Sequence, residues 1–404
     1  MPAALPLPLR QQIFDLHQAG LAPTLIALQL SLRPRTVRHL LRLWRQTSAG
    51  AEVDLGPLFH HSGRPLEPSR RPVQQSCLQL RTLHPGWGAG RIRLELLGLH
   101  PRQHVPPTRT LQRWLLEAGL GPPPALQVLT PADDRRAQKP HEGWQMDAVE
   151  CLRLADGSGA SWLRLTDECS GAILWTEVFP HYRWAGVPAR QVQEALRRAF
   201  ARWGCPGWLR VDNGIPWGSP GGLPSGLSLW GAGLGVLMRW NDPYCPRQNA
   251  VVEGTQGTSQ RWVEPASCAD LAELRRRLEK EDWVQREQYP AINGLSRRQA
   301  YPALLHSGRG YTPLWERLVW DLQEALGFLG RYRVRRKVSQ RGQVSVYHRL
   351  VEVGRPQGGS FVYVGLDPAT VQWVISDVQG NELRRRPAPG LTAEAIVALA
   401  VGRP

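Results

Sequence analysis

Three acidic residues have the types and spacing for phosphodiester chemistry. Asp147 lies in an otherwise apolar run with Trp144, Met146 and Val149, where a carboxylate is costly to bury without a partner. Asp212 closes the run WLRV, and Asn213 and Gly214 then turn the chain, leaving the acid at a strand tip. Glu253 falls in the first turns of a helix that follows PYCPRQN. Two strand-borne acids and a helix-borne one meet at a sheet edge if the strands are neighbours. Such hard oxygen ligands suit Mg²⁺ or Mn²⁺. Two ions roughly 3.5–4 Å apart can activate an attacking oxygen and stabilise a leaving one in an in-line phosphoryl displacement. Singly, each acid has a plainer reading: Asp-Asn-Gly makes hairpin turns, and a Glu near a helix start offsets the helix dipole. The ordered combination carries the inference.

The elements around these acids form one pattern over residues 141–290. WQMDAVECLRL, SWLRLTDECS and GAILWTEVF read as three strands separated by turn signals such as ADGSG. PARQVQEALRRAFARWG reads as a helix with Val192, Leu196, Ala199 and Trp203 on one stripe. WLRVDNG supplies a further strand and NAVVEGTQGTSQRW a further helix, so the domain is mixed α/β.

The flanks differ in kind. Residues 1–47 read as a helix-turn-helix: LRQQIFDLHQAG, then APTLIALQL, then a third helix capped by Ser31 with Val37, Leu40, Leu41 and Trp44 on one face. Its other face carries Arg35, Arg38, Arg42 and Arg45, which fits DNA; a generic three-helix bundle with a solvated face is the alternative. Residues 48–76 read as a Pro-, Gly- and Ser-rich linker in which His60 and His61, with no nearby Cys pair, are loop histidines. Residues 77–121 repeat the helical theme as a second helix-turn-helix or winged-helix-like unit whose last helix presents Arg109 and Arg113; GWGAG is a turn between its helices. A second Pro-rich linker spans 121–143. Residues 331–387 alternate as short strands with Gly-containing turns and read as a small SH3-like β-barrel; its opening cluster with Arg335, Arg336 and Lys337 fits a phosphate backbone, a solvated linker being the alternative.

Composition narrows the partner. Fifty Lys and Arg against 34 Asp and Glu give a formal charge of +16, which points to a polyanion, usually nucleic acid; a GC-rich genome also favours Arg. The six cysteines show no C-x-x-C spacing, which excludes a zinc knuckle and fits reduced thiols. The sequence has neither a signal peptide's apolar run nor 18 consecutive apolar residues, so a cytoplasmic, nucleoid-associated protein with no membrane partner is expected.

Together WQMD (144–147), TDECSGAIL (166–174), GCPGWLRVDNG (204–214) and PYCPRQNAVVEG (243–254) resemble the integrase core of bacterial insertion-sequence transposases and retroviral integrases. Asn213 and Gly214 match the turn after the second acid, and Pro246, Gln248 and Asn249 the segment entering the Glu helix. The flanks also resemble those of such transposases, so the resemblance covers most of the chain. It implies a multidomain protein: an α/β RNase H-like core with a mixed five-stranded sheet, all-α helix-turn-helix units before it and a small β-barrel after it. It implies that Asp147, Asp212 and Glu253 are the catalytic residues and hold two Mg²⁺ or Mn²⁺ ions, Asp147 bridging them. The implied activity is binding of transposon ends, cleavage there, and joining of the freed 3′-hydroxyl to double-stranded target DNA by a homo-oligomer. The rivals are a transposase-derived DNA-binding regulator that does not cut, and a nuclease that only hydrolyses.

The chain departs from that pattern in three places. Forty residues separate Asp212 from Glu253, slightly more than the family's usual spacing, and WGSPGGLPSGLSLWGAG reads as the loop insertion responsible. Relatives often carry Arg after the Glu; here stand Gly254 and, a turn later, Gly257, costing a helix about 1 kcal/mol each unless they admit a close DNA backbone. Arg261, two turns beyond Glu253 on the same face, is available for phosphate. The retroviral His/Cys zinc domain is replaced by the helix-turn-helix units.

Overall fold

The computed structural model describes residues 5–45, 55, 70–121, 136–181, 187–214, 216–218, 222–242 and 245–401. His60, His61 and most of both expected linkers lie outside them. The chain divides into two compact units, Met1–Arg71 and Pro72–Pro404.

In the first unit, α1 (Leu7–Gln18), α2 (Pro23–Gln29) and α3 (Pro34–Arg45) close over Ile13, Ile26, Val37, Leu41 and Trp44. Ser31 does not sit at the start of α3. It takes a left-handed conformation (φ 54°) in the turn before it, where a short polar side chain is tolerated.

The second unit begins earlier than the expected linker allowed, with α4 (Arg71–Leu83), followed by α5 (Ala89–Leu99) and α6 (Thr108–Glu117). No strand, and hence no wing, accompanies these helices among the described residues up to 121. Next come β1 (Gly143–Arg153), β2 (Gly159–Asp167), β3 (Ile173–Pro180), α7 (Ala189–Trp203), β4 (Trp208–Val211), α8 (Gly226–Gly233), β5 (Leu237–Trp240), α9 (Ala250–Val263) and α10 (Leu271–Trp283). The five strands form one sheet in the order β3-β2-β1-β4-β5. β1 pairs antiparallel with β2 and parallel with β4, so the sheet is mixed, the architecture expected of an integrase-like core. The stripe read on α7 is buried.

The expected loop insertion is partly a helix. Ser225 caps α8, its hydroxyl accepting from the Ser228 N–H at 3.3 Å. Leu227, Leu229 and Trp230 enter the core, and the Trp320 indole donates to the Trp230 carbonyl at 2.9 Å. Glycine content hid this element; three apolar side chains with a core to fill override the weak local propensity.

Beyond α10 lie the short helices α11 (Arg297–Ala300) and α12 (Glu316–Val319), then α13 (Leu322–Gly330), β6 (Arg333–Lys337), β7 (Gln343–Val346), β8 (Arg349–Glu352), β9 (Phe361–Asp367), β10 (Gln372–Ser376), β11 (Glu382–Pro387) and α14 (Ala393–Val397). The expected barrel does not close. β11-β10-β9-β6 make a four-stranded sheet, while β7 and β8 pair only with each other as a separate ribbon. Val344, Val346 and Val351 pack the ribbon by side chains into a core continuous from Trp144 through Trp230 and Trp320 to Ile375. Burying that apolar face leaves the ladder no need to run round into a cylinder. No helix among the described residues is long and apolar enough to cross a membrane.

The helices α4–α6 are docked onto the α/β layer. Arg91, 1% exposed, donates to both Glu281 oxygens at 2.9 and 2.7 Å and stacks 4.0 Å over Trp87. Trp87 in turn donates to the Trp262 carbonyl at 2.9 Å. Gly86 permits the approach: a Cβ there would stand 2.0 Å from the Arg261 carbonyl oxygen.

Candidate active site

Strand register brings the first two acids together. Gln145 on β1 lies opposite Arg210 on β4 in the parallel ladder. Two residues further along each chain stand Asp147 and Asp212. Period-two alternation keeps each on the face of the residue two before it, and neighbouring strands lie about 4.8 Å apart. The third acid comes from α9, which is held over β2 by Arg164. That side chain donates to the Thr255 carbonyl at 3.0 Å and the Ser259 hydroxyl at 2.7 Å.

The electrostatics record the proximity. Burial, together with the negative charges of Asp212 and Glu253, pushes the half-buried Asp147 carboxyl up to about 6, against the stabilising Ala148 N–H at 2.8 Å. Burial also raises the Glu253 carboxyl. Asp212 is exposed and turns its carboxylate to its own loop, accepting from the Gly214 N–H at 3.1 Å and from the Trp217 indole. Consistent with that orientation, no three His, Cys, Asp or Glu side chains among the described residues converge closely enough to hold an ion. The buried Gln256 side chain lies beside Asp147, where its amide favours the ionised carboxylate. The donor chemistry still fits a divalent cation: three oxygen-only side chains, two of which oppose the ionisation of Asp147, would gain a counter-charge from one. The hydrogen bonds from Gly214 and Trp217 both fall on Oδ1 of Asp212, and neither engages Oδ2.

The glycines after Glu253 are exposed to different degrees. A Cβ on Gly254 would meet nothing within 4 Å. Gly254→Ala is therefore expected to stabilise the second unit by roughly 0.5–1 kcal/mol, read as a raised midpoint in calorimetry. A lowered midpoint would contradict the open placement of this residue.

The basic residues fall into separate groups. Arg35, Arg38 and Arg42 are exposed along α3, with Arg42 3.4 Å from His39. Arg109 and Arg113 are exposed on α6, and Arg113 faces Glu117 at 3.7 Å. Arg261 is exposed and lies 3.4 Å from the Thr258 hydroxyl. On β6, Arg335 stacks 3.8 Å over Phe361 and Lys337 is exposed. Arg336, one residue out of phase, donates to the Ser345 carbonyl at 3.1 Å and ties β6 to β7.

Sequence reading passed over Gln145, Glu168, Arg210 and Trp217. A signal existed for Arg210, a charged residue in an otherwise apolar strand two positions before Asp212, and for Gln145, the one polar side chain in WQM.

No family model matches this chain. Among solved structures it is similar to the intasome of simian T-cell lymphotropic virus in complex with PP2A regulatory subunit B56 gamma, with 17% identity and a TM-score of 0.35 over 59% of this chain and 77% of that one. It is also similar to the catalytic core of BIV integrase, with 18% identity and a TM-score of 0.31 over 40% and 94% of the two chains. For the HTLV-2 integrase catalytic core in complex with magnesium (trimeric form) the values are 17% and 0.31, over 41% and 98%.

Proposed function

We propose that this protein is a polynucleotidyl transferase of the transposase and integrase kind, which binds the ends of a mobile DNA element, cleaves them and joins them to target DNA. One observation carries the reading: Asp147 within β1 and Asp212 just past the end of β4 each stand two residues beyond the paired Gln145 and Arg210 of neighbouring strands, with Asp147 feeling the charges of both Asp212 and Glu253. The formal charge of +16 and the exposed arginines of α3, α6 and β6 suit a DNA partner.

Asp147, Asp212 and Glu253 are the residues that would hold Mg²⁺ or Mn²⁺. Two such ions, when bound, supply Lewis-acid stabilisation of the charge that develops at the scissile phosphate. The protein contributes a fixed strand pair carrying two of the acids, a docked helix carrying the third, and basic surfaces to seat the duplex. Asp147 must lose its proton to act as a ligand. Below pH about 6 each cation bound displaces that proton, so apparent affinity is expected to fall about tenfold per pH unit, and to level off above it. Half-saturating Mn²⁺ measured between pH 5 and 8 reads this directly; an affinity flat from pH 5 to 7 would contradict the raised Asp147.

The deciding experiment incubates the full-length protein with labelled DNA from the flanks of its own gene, with and without Mg²⁺ or Mn²⁺. Nicking at the element's ends and joined products from a pre-cleaved end are expected; nicks without joining would indicate a nuclease. A second reading, a DNA-binding regulator that no longer cuts, is favoured by one feature, the Asp212 carboxylate held by Trp217 and Gly214. Binding without cleavage under every metal condition would establish it.

A further inference from the structure

The three acid-bearing elements are joined beneath the site by a buried polar chain. Gln145 is 0% exposed, Glu168 3% and Arg210 4%. One Glu168 oxygen, Oε1, accepts from the Gln145 amide at 2.7 Å and from Arg210 Nε at 2.8 Å, and Oε2 accepts from the Ala137 N–H at 3.1 Å. The Gln145 amide also donates to the Gln248 carbonyl at 2.8 Å, and its oxygen accepts from the Val252 N–H at 3.0 Å.

That last bond does an unusual job. Val252 lies in the first turn of α9, where backbone N–H groups have no partner within the helix. Asn249, the residue placed to cap them, makes no capping hydrogen bond. Gln145 supplies the acceptor instead, from a strand more than a hundred residues earlier, and so fixes where the helix starts relative to the sheet. The chain then touches every acid's neighbour: Gln145 two residues before Asp147, Arg210 two before Asp212, Val252 one before Glu253.

We propose that Gln145, Glu168 and Arg210 are positioning residues, setting the register of β1, β4 and α9 so that the three carboxylates are able to share cations. This rests on the metal-dependent reading above. The chemistry suits the task. Charge-assisted bonds to one carboxylate oxygen are short and directional, and a desolvated pair confers geometry more readily than net stability. Groups that orient metal ligands without touching the metal usually change affinity about 10–100-fold when removed.

The test uses the full-length protein and two variants. Gln145→Met keeps length and volume but removes all three hydrogen bonds; Arg210→Lys keeps the charge beside Glu168 but loses the planar fork. Thermal midpoints are measured without DNA across a Mn²⁺ titration, binding of the gene-flanking DNA in EDTA, and nicking across the same Mn²⁺ range. The wild type should gain stability with Mn²⁺. Gln145→Met should need about 10–100-fold more Mn²⁺ for the same gain and the same nicking rate, with DNA binding in EDTA within twofold of wild type. Arg210→Lys should shift in the same direction by less, and serves if Gln145→Met does not fold. A purely structural role would lower the metal-free midpoint and leave the Mn²⁺ dependence unmoved. Folded variants with wild-type Mn²⁺ dependence, or failure of both to fold, would overturn the positioning role alone. A wild type that neither responds to Mn²⁺ nor nicks would overturn the metal-dependent reading, and this role with it.

Discussion

Asp212→Asn is expected to lower metal-dependent nicking by at least about a thousandfold while leaving DNA binding within twofold of wild type. The substitution is nearly isosteric. The amide oxygen can still accept from Gly214 and Trp217, so the turn at 212–214 keeps the hydrogen bonds that shape it. What disappears is one negative charge in a set of three. A neutral amide is a poor ligand for a hard dication, and the arginines proposed to contact phosphate are untouched. The loss of charge has a second readout: Asp147, relieved of one of the two carboxylates that oppose its ionisation, should titrate lower in the variant by NMR. Cleavage within tenfold of wild type would remove Asp212 from the catalytic set. An unchanged Asp147 titration would mean that the two side chains do not share a site.

The largest effect on stability is expected at a buried ion pair that takes no part in the DNA contacts proposed above. Arg164 is fully buried opposite Asp147 in the β1–β2 ladder and pairs with Asp282 of α10 at 2.8 Å. It also donates to Thr176, Thr255 and Ser259, joining β2, β3, α9 and α10 through one guanidinium. Burial pushes Arg164 down and Asp282 up, and each partner's charge offsets part of the other's desolvation. Asp282→Ala leaves a guanidinium with no counter-ion in a dry interior and should destabilise the second unit by about 3–5 kcal/mol, visible as a lower urea midpoint. Replacing both partners with apolar residues, Arg164→Met with Asp282→Leu, should recover most of that loss, because neither uncompensated ion remains. A cost below 1 kcal/mol for Asp282→Ala would show the pair to be solvated in solution. Glu253 is expected to suffer with the single variant, since the same arginine holds α9 in place.

The elements that came out as read are those with strong periodicity. α1, α2, α3 and α7 carry apolar stripes at helical spacing, and β1–β3 are apolar runs bounded by turn signals; local pattern is enough where every residue votes the same way. α8 was hidden because glycine lowers helix propensity and only tertiary burial of Leu227, Leu229 and Trp230 restores it. The C-terminal strands were legible but their closure was not: alternation fixes which side of a strand is buried, never which strand is its neighbour. The same limit applies to α4–α6, where helix, turn and arginine content matched a DNA-binding unit, while the docking through Arg91, Glu281 and Trp87 rests on partners nearly two hundred positions away.

For the site itself, the ordered combination of residue types and its resemblance to integrase cores carried the candidate chemistry. Three carboxylates in strand, strand-tip and helix-start settings limit the choice to hard cations, because charge and donor atom are properties of the side chain wherever it sits. The tertiary structure decided the rest. Parallel pairing of β1 with β4 set Asp147, inside β1, beside Asp212 just past the end of β4, and Arg164 with Gln145 brought α9 to them. It also turned Asp212 toward Trp217. Electrostatic coupling and hydrogen bonding fall off over a few ångströms, so they depend on distances that a one-dimensional order does not contain.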